Sequence, residues 1–198
     1  MSDEGKVGLL VFGAHPDDIE FGCGGVVAGE TARGVRVGFV ICSRGEAGTN
    51  GTPEERTAEA TAAASILGAT LHWHELGGDA HFERRVEHAI GLAALIRRLR
   101  PATVLAPSVV ENQHPDHAVL GKLVRDAARL ARYGGLADLK GVVPHSIGQL
   151  LFYAVTPDAE PRDITPLLVD VSEPKVVDVW TRAMQAHASQ MKTRNYAE

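Results

Sequence analysis

A chain of 198 residues, of which 44% are hydrophobic, is long enough to bury the core of one domain and rather short for two. Its formal net charge of -5 comes from 25 acidic and 20 basic residues spread along the sequence, so there is no basic stripe to bind nucleic acid. No apolar run is long enough to span a bilayer, and the first residues, MSDEGK, do not resemble a signal peptide. We therefore predict a single cytoplasmic domain over residues 1–198, with no membrane span and no nucleic-acid partner.

Short runs rich in Val, Ile and Leu alternate with longer stretches of helical periodicity in the first part of the chain. This alternation is typical of a parallel sheet with helices on both faces. Thr52 is a good N-cap for the second helix, because Pro53 follows it at the first helical position. The predicted elements are a strand at Lys6 to Phe12, a helix at Ile19 to Arg33, a strand at Val35 to Cys42, a helix at Pro53 to Leu67 and a strand at Ala69 to Leu76.

The same alternation continues in the second part of the chain, so the predicted fold class is α/β, with a Rossmann-like, doubly wound and mostly parallel sheet. The commonest strand order in such sheets begins 3-2-1-4, which places strands one and four side by side, and ligands bind at that switch point. Cys23 and Cys42 lie in apolar stretches and are predicted to be reduced and buried. The remaining predicted elements are a helix at Arg84 to Arg100, a strand at Ala102 to Pro107, a helix at Pro115 to Ala131, strands at Gln149 to Val155 and Leu167 to Val171, and a helix from Glu173.

Two polar segments, HPDD at residues 15–18 and HPDH at residues 114–117, follow strands one and four. His15, Asp18 and His117 supply the imidazole and carboxylate ligands that a metal site with an open position needs. Asp17 is then placed to take a proton from a metal-bound water, and His114 to stabilise an oxyanion or protonate a leaving amine. The plainer alternative makes Asp17 and Asp116 helix caps, and for Asp116 we favour the cap.

Three classes of function fit this set of residues. A hydrolase uses all of it, because the additional carboxylate of Asp17 supplies a base. Two histidines and one carboxylate also form the ligand set of non-haem iron oxygenases. A metal-binding or sugar-binding module without catalysis needs no additional base, so Asp17 and His114 argue for an enzyme.

The motifs resemble those of a known family, the zinc-dependent N-acetylglucosamine deacetylases of the PIG-L/LmbE type. The match runs in order from AHPDD through SRGEAGTNGTPEER to HPDH and the late HASQ. The loop is most similar to the bacillithiol-biosynthesis branch. The resemblance implies a hydrolase, a zinc-dependent N-deacetylase acting on a linear amide, whose small-molecule substrate is a sugar conjugate. The expected substrate is N-acetylglucosaminyl malate, with mycothiol-type or secondary-metabolite conjugates as alternatives.

The resemblance also assigns roles to individual residues and implies a cofactor. The expected cofactor is Zn2+, with Fe2+ as the alternative, and relatives often form homo-oligomers, including hexamers. Arg44, on the same loop as Glu46, is expected to attract an anionic aglycone. His187 in HASQ is interpreted as a polar contact of the last helix. The implied roles are metal ligands at His15, Asp18 and His117, a general base at Asp17, an acid or electrostatic role at His114, and sugar contacts at Arg56 and Glu46.

Overall fold

Five strands form one sheet in the computed structural model, which describes residues 6–111, 114–156, 159–163 and 165–192. The strands are β1 (Leu9–Gly13), β2 (Val37–Ile41), β3 (Ala69–Trp73), β4 (Thr103–Pro107) and β5 (Gln149–Tyr153). Their order across the sheet is β3-β2-β1-β4-β5, and every neighbouring pair is parallel. The α/β class and the placement of strands one and four side by side are therefore confirmed.

Helices cover both faces of the sheet. They are α1 (Asp18–Ala32), α2 (Pro53–Ile66), α3 (Val86–Leu99), α4 (Pro115–Leu130) and α5 (Pro174–Gln185). Side chains alternate along β1, so Leu10 and Phe12 pack with α3 and α4, whereas Leu9 and Val11 pack with α1 and α2. Within the described residues, no helix is long and apolar enough to cross a membrane.

Local sequence signals account for the start of α2. Thr52 accepts a hydrogen bond from the amide of Glu55, and the Glu55 carboxylate accepts one from the amide of Thr52. This capping box, with Pro53 at the first helical position, confirms the predicted helix start. Cys23 and Cys42 are free and buried, as predicted.

The predicted strand from Leu167 to Val171 is wrong, because these residues pair with no strand of the sheet. Leu167 and Leu168 are 71% and 85% exposed, so the apolar run does not enter the core. β-Propensity reports how well a side chain suits a pleated surface, and it carries no information on whether a partner strand is within reach.

A buried arginine joins α3 to the end of α4. Arg97 is only 3% exposed, and its guanidinium donates hydrogen bonds to five backbone carbonyls. These carbonyls lie at the C-terminal end of α4 and in the segment that follows. They belong to Leu130, Ala131, Tyr133, Leu139 and Val142.

We expect Arg97→Met to lower the free energy of unfolding by about 3 kcal/mol or more, because it leaves buried carbonyls without donors. Arg98→Met is the matched control, since Arg98 is the neighbouring residue on α3 and is exposed. Its effect should stay within about 0.5 kcal/mol. Urea denaturation of the three proteins measures both values, and equal stability of the two variants would contradict the role given to Arg97.

Candidate active site and metal centre

The two polar segments meet at the carboxyl ends of β1 and β4. HPDD leads from β1 into α1, whose first residue is Asp18, and HPDH opens α4 with His114 as its N-cap. Although Asp18 and His117 are 99 positions apart in the sequence, Nε2 of His117 lies 3.0 Å from Oδ1 of Asp18. The structure thus brings the HPDD and HPDH segments together at the switch point of the sheet.

His15, Asp18 and His117 each offer one ligand atom, and these atoms lie within 4.8 Å of one another. Nδ1 of His15 is 3.5 Å from Oδ2 of Asp18, and both residues are buried. Two imidazole nitrogens and one carboxylate are a donor set that suits zinc or ferrous iron and leaves a coordination position open. The residues present therefore fit the metal that the sequence motifs imply.

The Asp18 carboxylate also shapes its own loop. Its Oδ2 accepts hydrogen bonds from the amides of Ala14 and His15, at 2.8 and 2.9 Å. Burial opposes ionisation of Asp18, but the neighbouring His117 and His15 outweigh it and hold the pKa of this carboxyl well below its usual range. Asp18 is therefore a carboxylate at neutral pH, as a metal ligand has to be.

Two further carboxylates, of Asp79 and Asp116, face the other side of His15. Nε2 of His15 lies 3.0 Å from Oδ1 of Asp79 and 3.4 Å from Oδ2 of Asp116. Burial alone would lower the pKa of His15, yet the carboxylates of Asp18, Asp116 and Asp79 raise it well above its usual value. Acceptors on the Nε2 side favour a proton there, so a metal that binds Nδ1 has to displace only the proton on that nitrogen.

The cap interpretation of Asp116 is wrong. Asp116 is the second residue of α4, and its carboxylate accepts hydrogen bonds from the amides of Ala80 and Phe82, at 2.7 and 3.3 Å. It therefore holds the segment between β3 and α3 against the site. That segment also supplies Asp79, which the sequence reasoning missed, although GGDA follows the carboxyl end of a parallel strand, where ligands collect.

Asp17 occupies the N-cap position of α1 but makes no side-chain capping bond, so a capping role does not explain this residue. Its backbone is left-handed, with φ 105° and ψ -28°, which is rare for a residue other than glycine. Burial and the adjacent charge of Asp18 raise the pKa of Asp17 to about 7. A carboxyl group with a pKa near neutrality is suited to accept a proton during a reaction.

His114 lies at the more open side of the site, with 37% of its side chain exposed. Its Nδ1 accepts a hydrogen bond from the amide of Asp116, and its ring packs edge-on against that of His15, with centroids 4.4 Å apart. Burial and the charge of His15 lower the pKa of His114. The lowered pKa favours a neutral imidazole with its N–H at Nε2, which lies 3.5 Å from Oδ1 of Asp79.

The expected sugar contact of Arg56 needs correction, because its guanidinium does not face the open side of the site. Arg56 is 5% exposed and donates hydrogen bonds to the carbonyls of Gly45 and Pro16, at 3.0 and 2.7 Å. Its Nη2 also lies 3.4 Å from Oδ2 of Asp17. The guanidinium is therefore buried, and protein groups accept hydrogen bonds from both of its Nη atoms.

Arg44 and Glu46 lie on the loop after β2, and both are engaged with protein groups. Arg44 forms an ion pair with Glu75 at 2.6 Å, and its guanidinium stacks 3.7 Å from the ring centroid of Trp73. Glu46 accepts hydrogen bonds from the amides of Asp79 and Arg44, each at 2.9 Å. Glu46 therefore ties its loop to the segment that carries Asp79, and any sugar contact would be additional to that role.

His187 is fully buried, with its Nε2 3.4 Å from Oε2 of Glu20 and its ring 6.2 Å from that of Phe21. These contacts fit the interpretation of His187 as a polar contact of the last helix. The structure thus combines an all-parallel sheet with a group of His and Asp side chains at its switch point that could hold a metal ion.

Comparison with known proteins identifies the family. The family profile described as PIG-L, GlcNAc-PI de-N-acetylase, matches residues 10–128. The chain is 30% identical to a diacetylchitobiose deacetylase of Thermococcus kodakarensis over 196 residues, which cover 92% of this chain and 69% of that protein. This chain belongs to the PIG-L family, as its motifs indicated.

Solved structures share the fold over most of their length. The conserved protein TT1542 from Thermus thermophilus is 35% identical, with a TM-score of 0.77 covering 92% of this chain and 79% of that chain. GalB from Pseudomonas putida KT2440, a 4-carboxy-2-hydroxymuconate hydratase, is 26% identical, with a TM-score of 0.79 covering 96% and 82%. The same fold therefore supports more than one reaction, and the site has to decide between them.

We expect protein purified without added metal to contain close to one equivalent of zinc or iron, and His117→Ala to lose most of it. Elemental analysis measures the content. His88→Ala is the matched control, because His88 lies on α3 outside the cluster. Full metal occupancy in His117→Ala would show that the ligands have been assigned wrongly.

Proposed function

We propose that this protein is a metal-dependent hydrolase that removes the N-acetyl group from an N-acetylglucosamine conjugate. One observation carries the proposal: directly beside Asp18 lies a further carboxyl group, Asp17, which makes no capping bond, and burial with the adjacent charge raises its pKa toward neutrality. A site that only binds metal or sugar needs no such carboxylate. The membership of the PIG-L family and the deacetylase from Thermococcus kodakarensis support the choice of an amide substrate.

His15, Asp18 and His117 would hold the metal, which when bound polarises the amide carbonyl and lowers the pKa of water toward about 7. Asp17 accepts the proton of the attacking water on its carboxylate. For His114 to donate its Nε2–H to the oxygen that gains negative charge, this donor has to leave Asp79, whose Oδ1 lies 3.5 Å away, and the amine leaves with the proton that Asp17 held. Asp79 and Asp116 keep the His15 ring oriented throughout.

Two other reaction classes make distinct demands on this site. A hydratase adds water to a carbon–carbon double bond, and GalB shows that the fold accommodates such an enzyme. An iron oxygenase would use the same three ligands but has no use for a base beside them. The placement of Asp17 argues against the oxygenase, but a hydratase would also use a base to activate water, so the choice of hydrolysis over hydration rests on the family and the deacetylase relative.

The direct test is a free-amine assay on a panel of N-acetylglucosamine conjugates, with and without a chelator. Hydrolysis should release amine and acetate in equal amounts, and the chelator should abolish both. The same enzyme should not hydrate a 2-hydroxymuconate derivative. Hydration of that compound without amine release from any conjugate would overturn the proposal in favour of a hydratase.

We expect Asp17→Asn to reduce turnover by about two to four orders of magnitude while the metal stays bound, because the substitution removes the base and keeps the size. The wild-type kcat/KM should fall as the pH drops through the pKa of Asp17, because the protonated carboxyl cannot accept a proton. This fall should lie at or below about pH 7, since a bound cation lowers that pKa.

The fall of kcat/KM at low pH should be missing from the residual activity of Asp17→Asn. Elemental analysis of the same preparation separates the roles: loss of metal together with activity would make Asp17 a ligand. A small loss of rate with full metal content would mean that another group is the base.

We further propose N-acetylglucosaminyl malate, the bacillithiol precursor, as the substrate. Support comes from the likeness of the SRGEAGTNGTPEER loop to that branch and from Arg44, whose side chain is 33% exposed on this loop. An anionic aglycone would compete with Glu75 for that guanidinium. Zinc as the ion, a single domain, a cytoplasmic location and self-association up to a hexamer stay predictions.

We expect a higher kcat/KM for the malate conjugate than for free N-acetylglucosamine, by a factor of about 2 to 10, because exposed charges interact weakly. Arg44→Ala should remove this preference, whereas Glu75→Gln should increase it by freeing the guanidinium. Steady-state kinetics on both substrates measure the ratio. Equal values with the wild-type enzyme would overturn the malate assignment and leave the broader deacetylase proposal intact.

A further inference from the structure

The guanidinium of Arg56 lies behind the HPDD segment, on the side away from solvent. Its Nη2 donates to the carbonyl of Pro16 at 2.7 Å and lies 3.4 Å from Oδ2 of Asp17, while Nη1 donates to the carbonyl of Gly45 at 3.0 Å. Its Nε is buried and meets no acceptor among the residues that the structure describes. One side chain therefore joins the loop after β1 to the loop after β2.

The bond to Pro16 acts on a strained part of the backbone. The carbonyl of Pro16 belongs to the peptide plane that precedes Asp17, and rotation of that plane changes φ of Asp17. A left-handed φ of 105° at an aspartate costs free energy and persists only where the surrounding structure holds it. Arg56 is placed to hold it, because its Nη2 donates to the carbonyl of Pro16 and lies within ion-pair distance of the Asp17 carboxylate.

The surrounding sequence makes room for the guanidinium. A Cβ atom at Gly45 would lie 1.9 Å from Nη1 of Arg56, and one at Gly48 would lie 2.9 Å from it. Gly45 also has φ +68°, which favours glycine independently. The capping box at Thr52 fixes the start of α2, so Arg56, on the first turn, projects from a well-defined backbone.

We propose that Arg56 is a positioning residue, which holds the strained backbone and the carboxylate of Asp17 in the orientation that proton transfer requires. This inference rests on the proposed function of Asp17 as the general base. A positioning role differs from a sugar contact in its kinetic effect. Loss of a positioning residue lowers kcat, whereas loss of a contact to bound sugar first raises KM.

The test compares Arg56→Ala with the wild type on the best substrate of the panel. Arg56→Ala should lower kcat by about 10- to 100-fold, since small displacements of a catalytic group have effects of this size. KM should stay within about threefold, and the metal content should not change. Added guanidinium at millimolar concentration should restore part of kcat. A tenfold rise in KM with unchanged kcat would overturn the inference.

Further variants keep the test independent of folding. Gly48→Ala should reproduce part of the fall in kcat, because its methyl group would lie 2.9 Å from Nη1 and displace the guanidinium, and Arg56→Lys should be intermediate, because one ammonium group cannot reach both carbonyls. Arg182→Ala, on the exposed side of α5, is the control and should match the wild type. A fall in kcat for Arg56→Ala but not for Gly48→Ala would contradict the inference.

A structural readout separates this inference from the proposed function. In a crystal structure of Arg56→Ala, φ of Asp17 should leave the left-handed region or its carboxylate should move by about 1 Å or more. An unchanged Asp17 would overturn the inference even if the enzyme is a deacetylase. Absence of amine release by the wild type from every conjugate would overturn the proposed function, while the conformation of Asp17 would still test the inference.

Discussion

The parallel pairing of β1 with β4 is the constraint on which the site depends. Leu9 is in register with Thr103, and Val11 with Leu105, so both strands end at the same edge of the sheet. Because α1 and α4 begin just beyond these strands, the first residues of the two helices must face each other. The 3.0 Å contact between Asp18 and His117 follows directly from this pairing.

His15 divides the site into two halves. Its Nδ1 faces Asp18, and its Nε2 faces the buried carboxylates of Asp79 and Asp116. Two overlapping clusters of ligand atoms share this ring. If His15 binds the metal through Nδ1, as proposed, the carboxylates on its Nε2 side would fix the tautomer and orientation of the ring, and the second cluster would need no metal of its own.

Much of this arrangement could be predicted from sequence, because its causes are local or topological. Hydrophobic periodicity predicted the sheet and the switch point, and Thr52 with Pro53 predicted the start of α2. The contacts of Asp79 and Asp116 could not be predicted, since they depend on how the segment after β3 folds back on α4. Arg56 was misplaced for a related reason: sequence places it on the first turn of α2, but only packing shows that its guanidinium points inward.

We propose that one metal lies on the Nδ1 side of His15. Anomalous X-ray diffraction at the zinc edge tests this placement most directly. Crystals of zinc-loaded protein should show a single peak about 2.0–2.2 Å from Nδ1 of His15, Nε2 of His117 and the Asp18 carboxylate. A peak on the Nε2 side of His15, between Asp79 and His114, would contradict the account.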